Sequence, residues 1–175
     1  MGQINEHPDY FNDDLKDKSA VFLPGEGEIL SVKGGQLALK VTSQLTRDQL
    51  GVYEIRLAPA TVGAQLHYHR FMDETFIVTR GVLTVEFTNR SIEAPEGTVI
   101  YAPRLTPHGF RNNSSQDVTV MLIFNPGANR EGFFRGLQET LSEQPIDPGK
   151  FLKLYNKYDS FPLDTNNMLP TGANG

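Results

Sequence analysis

Cysteine is absent from the 175 residues, so neither a disulfide nor a thiolate metal site can form. Basic charge is short as well. Sixteen Lys and Arg face 21 Asp and Glu, for a net charge of -5, which leaves no surplus to meet phosphates and argues against nucleic acid or an anionic membrane as partner. Long hydrophobic runs are missing: nothing approaches the roughly 18 apolar residues of a membrane-spanning helix. The polar, acidic opening MGQINEHPDY does not have the form of a secretory signal, so a cytoplasmic location is the expectation. There is no fixed-period repeat and no low-complexity tract. The length suits one domain with a core that needs no staples.

What is present, from about residue 20 to 125, is a series of short β-forming runs. QLALKVTS (36–43), GVYEIRLA (51–58), QLHYHR (65–70), ETFIVTR (74–80), VLTVEFT (82–88), TVIYA (98–102) and VTVMLIF (118–124) are rich in β-branched and aromatic residues. Turn formers separate them: Gly34-Gly35, Arg80-Gly81, Asn89-Arg90, Pro95-Glu96-Gly97 and Asn113-Ser114. Many short strands with no helix between them predict an all-β antiparallel sandwich or barrel. After residue 126 the period changes. Phe133, Phe134, Leu137 and Leu141 recur at helical spacing, and Asp147-Pro148 has the form of an N-cap followed by proline at the first helical position. The expected organisation is a polar arm (1–20), a β-barrel (21–125), two short C-terminal helices packed on it (126–160) and a tail (161–175).

Of the four histidines, three fall in two tight segments. His67 and His69 alternate on a strand and so share a face. Glu74 follows after a short bend, and a strand pairing with the first can bring His108 to the same point. Three imidazoles and a carboxylate suit one divalent first-row transition ion, Fe, Mn, Ni, Co, Cu or Zn, and leave room for a further ligand.

In these segments the chain resembles the cupin superfamily. Its first motif runs His-x-His, three or four residues, Glu, six residues, Gly, matched by His67, His69, Glu74 and Gly81. Its second runs Gly, five residues, Pro-x-Gly, two residues, His, three residues, Asn, matched by Gly97, Pro103, His108 and Asn112, with Leu105 in place of the inner glycine and the early glycine of the first motif displaced to Gly63. The resemblance implies a cupin jelly-roll β-barrel with metal ligands His67, His69, Glu74 and His108. A single cupin followed by Asn125-Pro126-Gly127 and a Phe133-Phe134 helix is similar to the bacterial one-domain quercetin dioxygenase-like group. That implies a dioxygenase acting on a flavonol-like, aromatic or enolic small molecule, with Glu74 as both ligand and general base, and a homodimer.

Period-2 reading places Phe76 and Val78 beside Glu74, and Phe110 and Asn112 beside His108. Tyr53, Phe76, Phe110, Met121 and Ile123 are the candidate pocket residues, with Ile55 a further one and Arg104 a candidate contact for an anionic substrate. Two alternatives stay open: a non-enzymatic binding cupin, and a metal-dependent isomerase or lyase, which needs more polar groups inside the barrel.

Overall fold

A computed structural model of the chain describes residues 16–170. Most of the expected polar arm and the end of the expected tail lie outside that range. Residues 18–27 form an exposed segment without regular structure apart from a turn at Pro24-Gly25, and it enters the first strand.

Eleven strands pair antiparallel in two facing sheets. They are β1 (Glu28–Val32), β2 (Gly35–Val41), β3 (Gly51–Leu57), β4 (Thr61–Tyr68), β5 (Asp73–Arg80), β6 (Val82–Phe87), β7 (Arg90–Pro95), β8 (Val99–Ala102), β9 (His108–Asn112), β10 (Val118–Asn125) and β11 (Phe161–Pro162). The six-stranded sheet runs β1-β2-β3-β10-β5-β8, and the five-stranded sheet β11-β4-β9-β6-β7. This is the expected jelly roll. Strict alternation fills the space between the sheets: Tyr53, Ile55 and Leu57 from β3, Phe76 and Val78 from β5, and Val120, Leu122 and Phe124 from β10 are all buried. Alternate positions face outward, as a half-covered sheet requires.

The β10 register overturns two expected pocket residues. Met121 and Ile123 lie on the outer face, where Met121 pairs with Ile77, while Leu122 and Phe124 point inward. The run VTVMLIF is apolar on both faces after Thr119, so alternation of polarity carries no parity there.

Two helices follow. In α1 (Arg130–Ser142) the buried residues are Arg130, Glu131, Phe133, Phe134, Leu137 and Thr140. In α2 (Pro148–Lys157) the Asp147 carboxylate accepts from Gly149 N at 2.8 Å and Lys150 N at 3.2 Å, with Pro148 at the first position, the expected cap. No helix among the described residues is long and apolar enough to cross a membrane.

The segment expected as a tail is partly structured. Phe161 and Pro162 pair with Tyr68 and His67 across β11 and β4, Leu163 N donates to Leu66 O at 3.0 Å, and Met168 is buried. The sequence gives only two strand residues here, too few for a pattern to register.

Leu105, standing where the family motif has glycine, adopts φ +65°, a left-handed conformation that costs a side-chain-bearing residue about 1–2 kcal/mol. Its amide donates to His69 O at 2.7 Å, so the turn braces the histidine segment. Leu105→Gly is expected to keep stability within about 1 kcal/mol, because relief of strain offsets the freer unfolded chain. Leu105→Val should lose about 1–2 kcal/mol, since branching at Cβ is least tolerated at positive φ. Urea denaturation of the two variants checks this order.

Candidate metal centre

His67 and His108 come from paired positions on β4 and β9, Glu74 comes from β5 in the opposite sheet, and His69 sits just past the end of β4. Simple alternation along β4 would not deliver them. Val62 and Ala64 face inward, which would send His67 outward. The β4–β9 register shifts between Ala64 and His67, and this bulge resets the parity so that His67 and His69 both turn in. Gly109 lies against the bulge. A Cβ there would stand 2.9 Å from Ala64 O and 3.0 Å from Leu66 N, so a side chain would push the two strands apart. Gly81, closing the β5–β6 turn at φ +82°, would place a Cβ 2.8 Å from Asp117 O.

All four candidate ligands are at most 2% exposed, and their donor atoms lie within 4.8 Å of one another. The imidazole centroids are 4.7–5.4 Å apart. Each ring has its Nδ1 against a carbonyl oxygen: His67 to Gln65 O at 2.9 Å, His69 to Asp159 O at 2.6 Å and His108 to Thr106 O at 2.8 Å. A carbonyl only accepts, so all three Nδ1 atoms carry the proton. In neutral rings, the inward Nε2 atoms then present lone pairs. Glu74 Oε2 lies 3.0 Å from His69 Nε2 and 2.9 Å from His108 Nε2. Lone pairs and a carboxylate converge, which is repulsive unless a cation or protons lie between them. The donor set therefore fits a divalent ion, and bonds of about 2.1 Å need only small side-chain shifts to close on it.

Burial first, with the neighbouring histidines adding to it, lowers the His67 pKa well below the ordinary 6.5. Burial likewise lowers His69, against a raising contribution from Glu74. For Glu74, burial raises the pKa, while the His108 and His69 contacts, which act when those rings are protonated, outweigh it and lower the pKa below its ordinary value. As pH falls below 6.5 the unfolded chain takes up histidine protons that the fold refuses, and stability drops. Metal-free protein is expected to lose stability from pH 7 to 5 with a slope approaching about 1.4 kcal/mol per pH unit for each histidine excluded from protonation. Urea midpoints across that range test it, and a flat profile would mean that the rings are charged in the fold.

Two of the donor residues, His67 and Glu74, line a partly open cavity of about 50 Å³ of free space. Its wall is largely apolar, with Ile55, Phe110, Leu122, Phe124 and Phe133 among the lining residues. Of the expected pocket residues, Phe110 and Ile55 line it. Tyr53 and Phe76 are buried behind the wall: Tyr53 donates to Glu131 Oε2 at 2.7 Å, and Phe76 meets the edges of His108 and Phe110. Arg104 is engaged elsewhere, with Nε 3.0 Å from Asp73 Oδ1 on an exposed surface.

Three contributors escaped the sequence reading, and all lie beyond residue 129. Arg130 is 4% exposed and lines the cavity. Tyr155 also lines it, and burial pushes its hydroxyl up to about 12, so it remains a proton donor. Asp159 holds the bend between β4 and β5. Its carboxylate accepts from Arg70 N at 2.9 Å, Phe71 N at 2.8 Å and Met72 N at 3.2 Å, while its carbonyl orients His69. A cation within an otherwise apolar helix face was the one available signal, and it pointed to Arg130.

A family model for the cupin domain matches residues 53–124. Among solved structures, KdgF from Halomonas sp. is 22% identical over 61% of this chain and 94% of its own, with a TM-score of 0.54. A cupin-superfamily sugar phosphate isomerase from Silicibacter pomeroyi is 19% identical over 61% of this chain and 75% of its own, also at 0.54. A predicted oxalate decarboxylase from Thermotoga maritima is 16% identical over 61% and 99%, at 0.55. At these identities the likeness establishes the fold. No curated protein sequence matches the chain.

Proposed function

We propose that this chain, which carries a cupin domain over residues 53–124, is a metal-dependent dioxygenase acting on a small aromatic or enolic molecule. His67, His69, Glu74 and His108 are its metal ligands. The observation that carries the reading is the union of four convergent buried donors with a largely apolar wall beside them. A bound first-row ion would supply Lewis acidity toward a substrate oxygen and, for the redox-active ions, a route for electrons to dioxygen. The wall disfavours a sugar, which needs many hydrogen-bond partners, and suits a flat apolar skeleton.

Glu74 is the proton acceptor. Its Oε2 faces His69 and His108, and no hydrogen bond reaches Oε1 among the described residues, so Oε1 is available to the substrate. A carboxylate is intrinsically a weak base. An enolic or phenolic hydroxyl is acidic enough to give it a proton, whereas an alcohol is not. Size narrows the choice further. The free space is far below the several hundred Å³ of pockets for drug-sized ligands, so a flavonol would require α1 to move, and single-ring or smaller enols are the better candidates.

The test is oxygen uptake by protein loaded separately with iron(II), manganese(II), cobalt(II) or nickel(II), given a panel of flavonols, catechols and enolisable diketones. Uptake with one substrate class supports the reading. No uptake with any combination would remove it and leave a binding cupin or a metal-dependent isomerase or lyase.

A further inference from the structure

We propose that Arg130 is the anion-recognition residue of this cavity, and that the molecule bound there carries one carboxylate on a small apolar body. The inference deepens the preceding one and rests on its reading of the cavity as the substrate site.

Arg130 is a buried cation with one side committed and one side free. Its Nη1 donates to Tyr158 O at 3.0 Å and to Ser160 Oγ at 2.8 Å. Its guanidinium carbon lies 3.9 Å from the Phe133 ring centroid, 4.7 Å from that of Phe124 and 5.5 Å from that of Phe134, a favourable setting for a planar cation. Its Nε is buried with no hydrogen-bond partner, and no bond to Nη2 is found among the described residues. Arg130 also makes no salt bridge there. Nε and Nη2 form one edge of the guanidinium, whose two parallel N–H groups match the two oxygens of a carboxylate.

A purely structural arginine would leave the buried Nε unpaired, at a desolvation cost. Tying α1 to Tyr158 and Ser160 needs only the Nη1 atom. The charge balance of the lining points the same way. Its charged members are Glu74, Arg130 and the exposed Lys33 at the β1–β2 turn. With a divalent ion at the four donors, the Glu74 charge is more than offset, and the lining attracts an anion. The confined space and apolar wall select a carboxylate over a bulkier, more strongly hydrated phosphate.

The experiment uses isobutyrate and isobutyramide, which share a shape and differ in charge, titrated by calorimetry at pH 7.5 into chelator-stripped and zinc-loaded protein. Wild type should bind isobutyrate at least about tenfold more tightly than the amide in both forms. Arg130→Gln should bring that ratio to within about twofold in stripped protein and cut it about tenfold in loaded protein. Arg130→Lys, which keeps the charge but not the paired donors, should fall between. Equal affinities for the two probes in wild type would overturn the proposal. So would a variant that lowers the unfolding midpoint while preserving the ratio. Should Arg130→Gln fail to fold, Arg130→Lys decides, and an unchanged isobutyrate affinity overturns it. Zinc retained without any probe preference would defeat the role of Arg130 alone. A preference that persists in protein unable to hold zinc would defeat the metal assignment alone.

Discussion

Glu74→Gln should weaken metal binding by more than about 100-fold while leaving the metal-free protein as stable as wild type or more so. The two effects have one cause. In metal-free wild type above the range where the rings take up protons, Glu74 Oε2 sits 3.0 and 2.9 Å from the Nε2 atoms of His69 and His108, and all three atoms offer electron pairs. An amide has the same shape but brings two N–H donors, so it can satisfy one of those nitrogens, a gain on the order of 1 kcal/mol. The same amide removes the anionic ligand, a larger loss than the 10- to 100-fold that outer-shell partners typically cost. Elemental analysis after dialysis and urea denaturation at pH 8 read the two effects separately. A clear loss of metal-free stability would mean that protons already bridge the carboxylate and the rings. His108→Ala should lose metal as well, but without the compensating gain, because it leaves a cavity and an unpaired Thr106 carbonyl.

Asp159→Ala should be among the most destabilising single changes outside the core. The carboxylate accepts three backbone N–H groups from Arg70, Phe71 and Met72, and hydrogen bonds to a charged group are worth about 1.5–3 kcal/mol each. After relaxation and rehydration a net loss of about 3 kcal/mol is expected, or roughly 6–12 °C in Tm for a chain of this length. Metal affinity should fall about tenfold or more, because the bend carries His69. Asp159→Asn keeps one acceptor oxygen and tolerates the left-handed φ of +58°, so it should recover a good part of both. Thermal melts and a chelator competition measure the pair. A wild-type Tm in the alanine variant would show that the bend holds itself.

The metal donors could be found in the sequence because their chemistry is rare: four histidines in the chain, three of them close to one glutamate. The strands β3, β5 and β10 were also visible, since each combines β-forming residues with flanking turn signals. What stayed hidden has physical reasons. The bulge before His67 depends on how β4 meets β9, and no residue in QLHYHR announces it. The inward set of β10 is masked by outward residues that are equally apolar, which led to Met121 and Ile123 in place of Leu122 and Phe124. The strand β7 buries little, chiefly Ala94 with a partly covered Ile92, so its pattern is faint. Arg130 and Asp159 act on groups far from them in the chain, and neither belongs to a local motif. Sequence motifs reported the ligands; the residues that aim and surround those ligands are assembled only by tertiary contact.

His69 takes its orientation from a carbonyl 90 positions further along the chain. During synthesis, every strand of the sandwich except β11 leaves the ribosome before Asp159 does. Until that residue emerges, a nascent chain can close its sheets but lacks the partner that orients its third imidazole. A chain truncated before Asp159 is therefore expected to hold the ion more weakly than one that includes it.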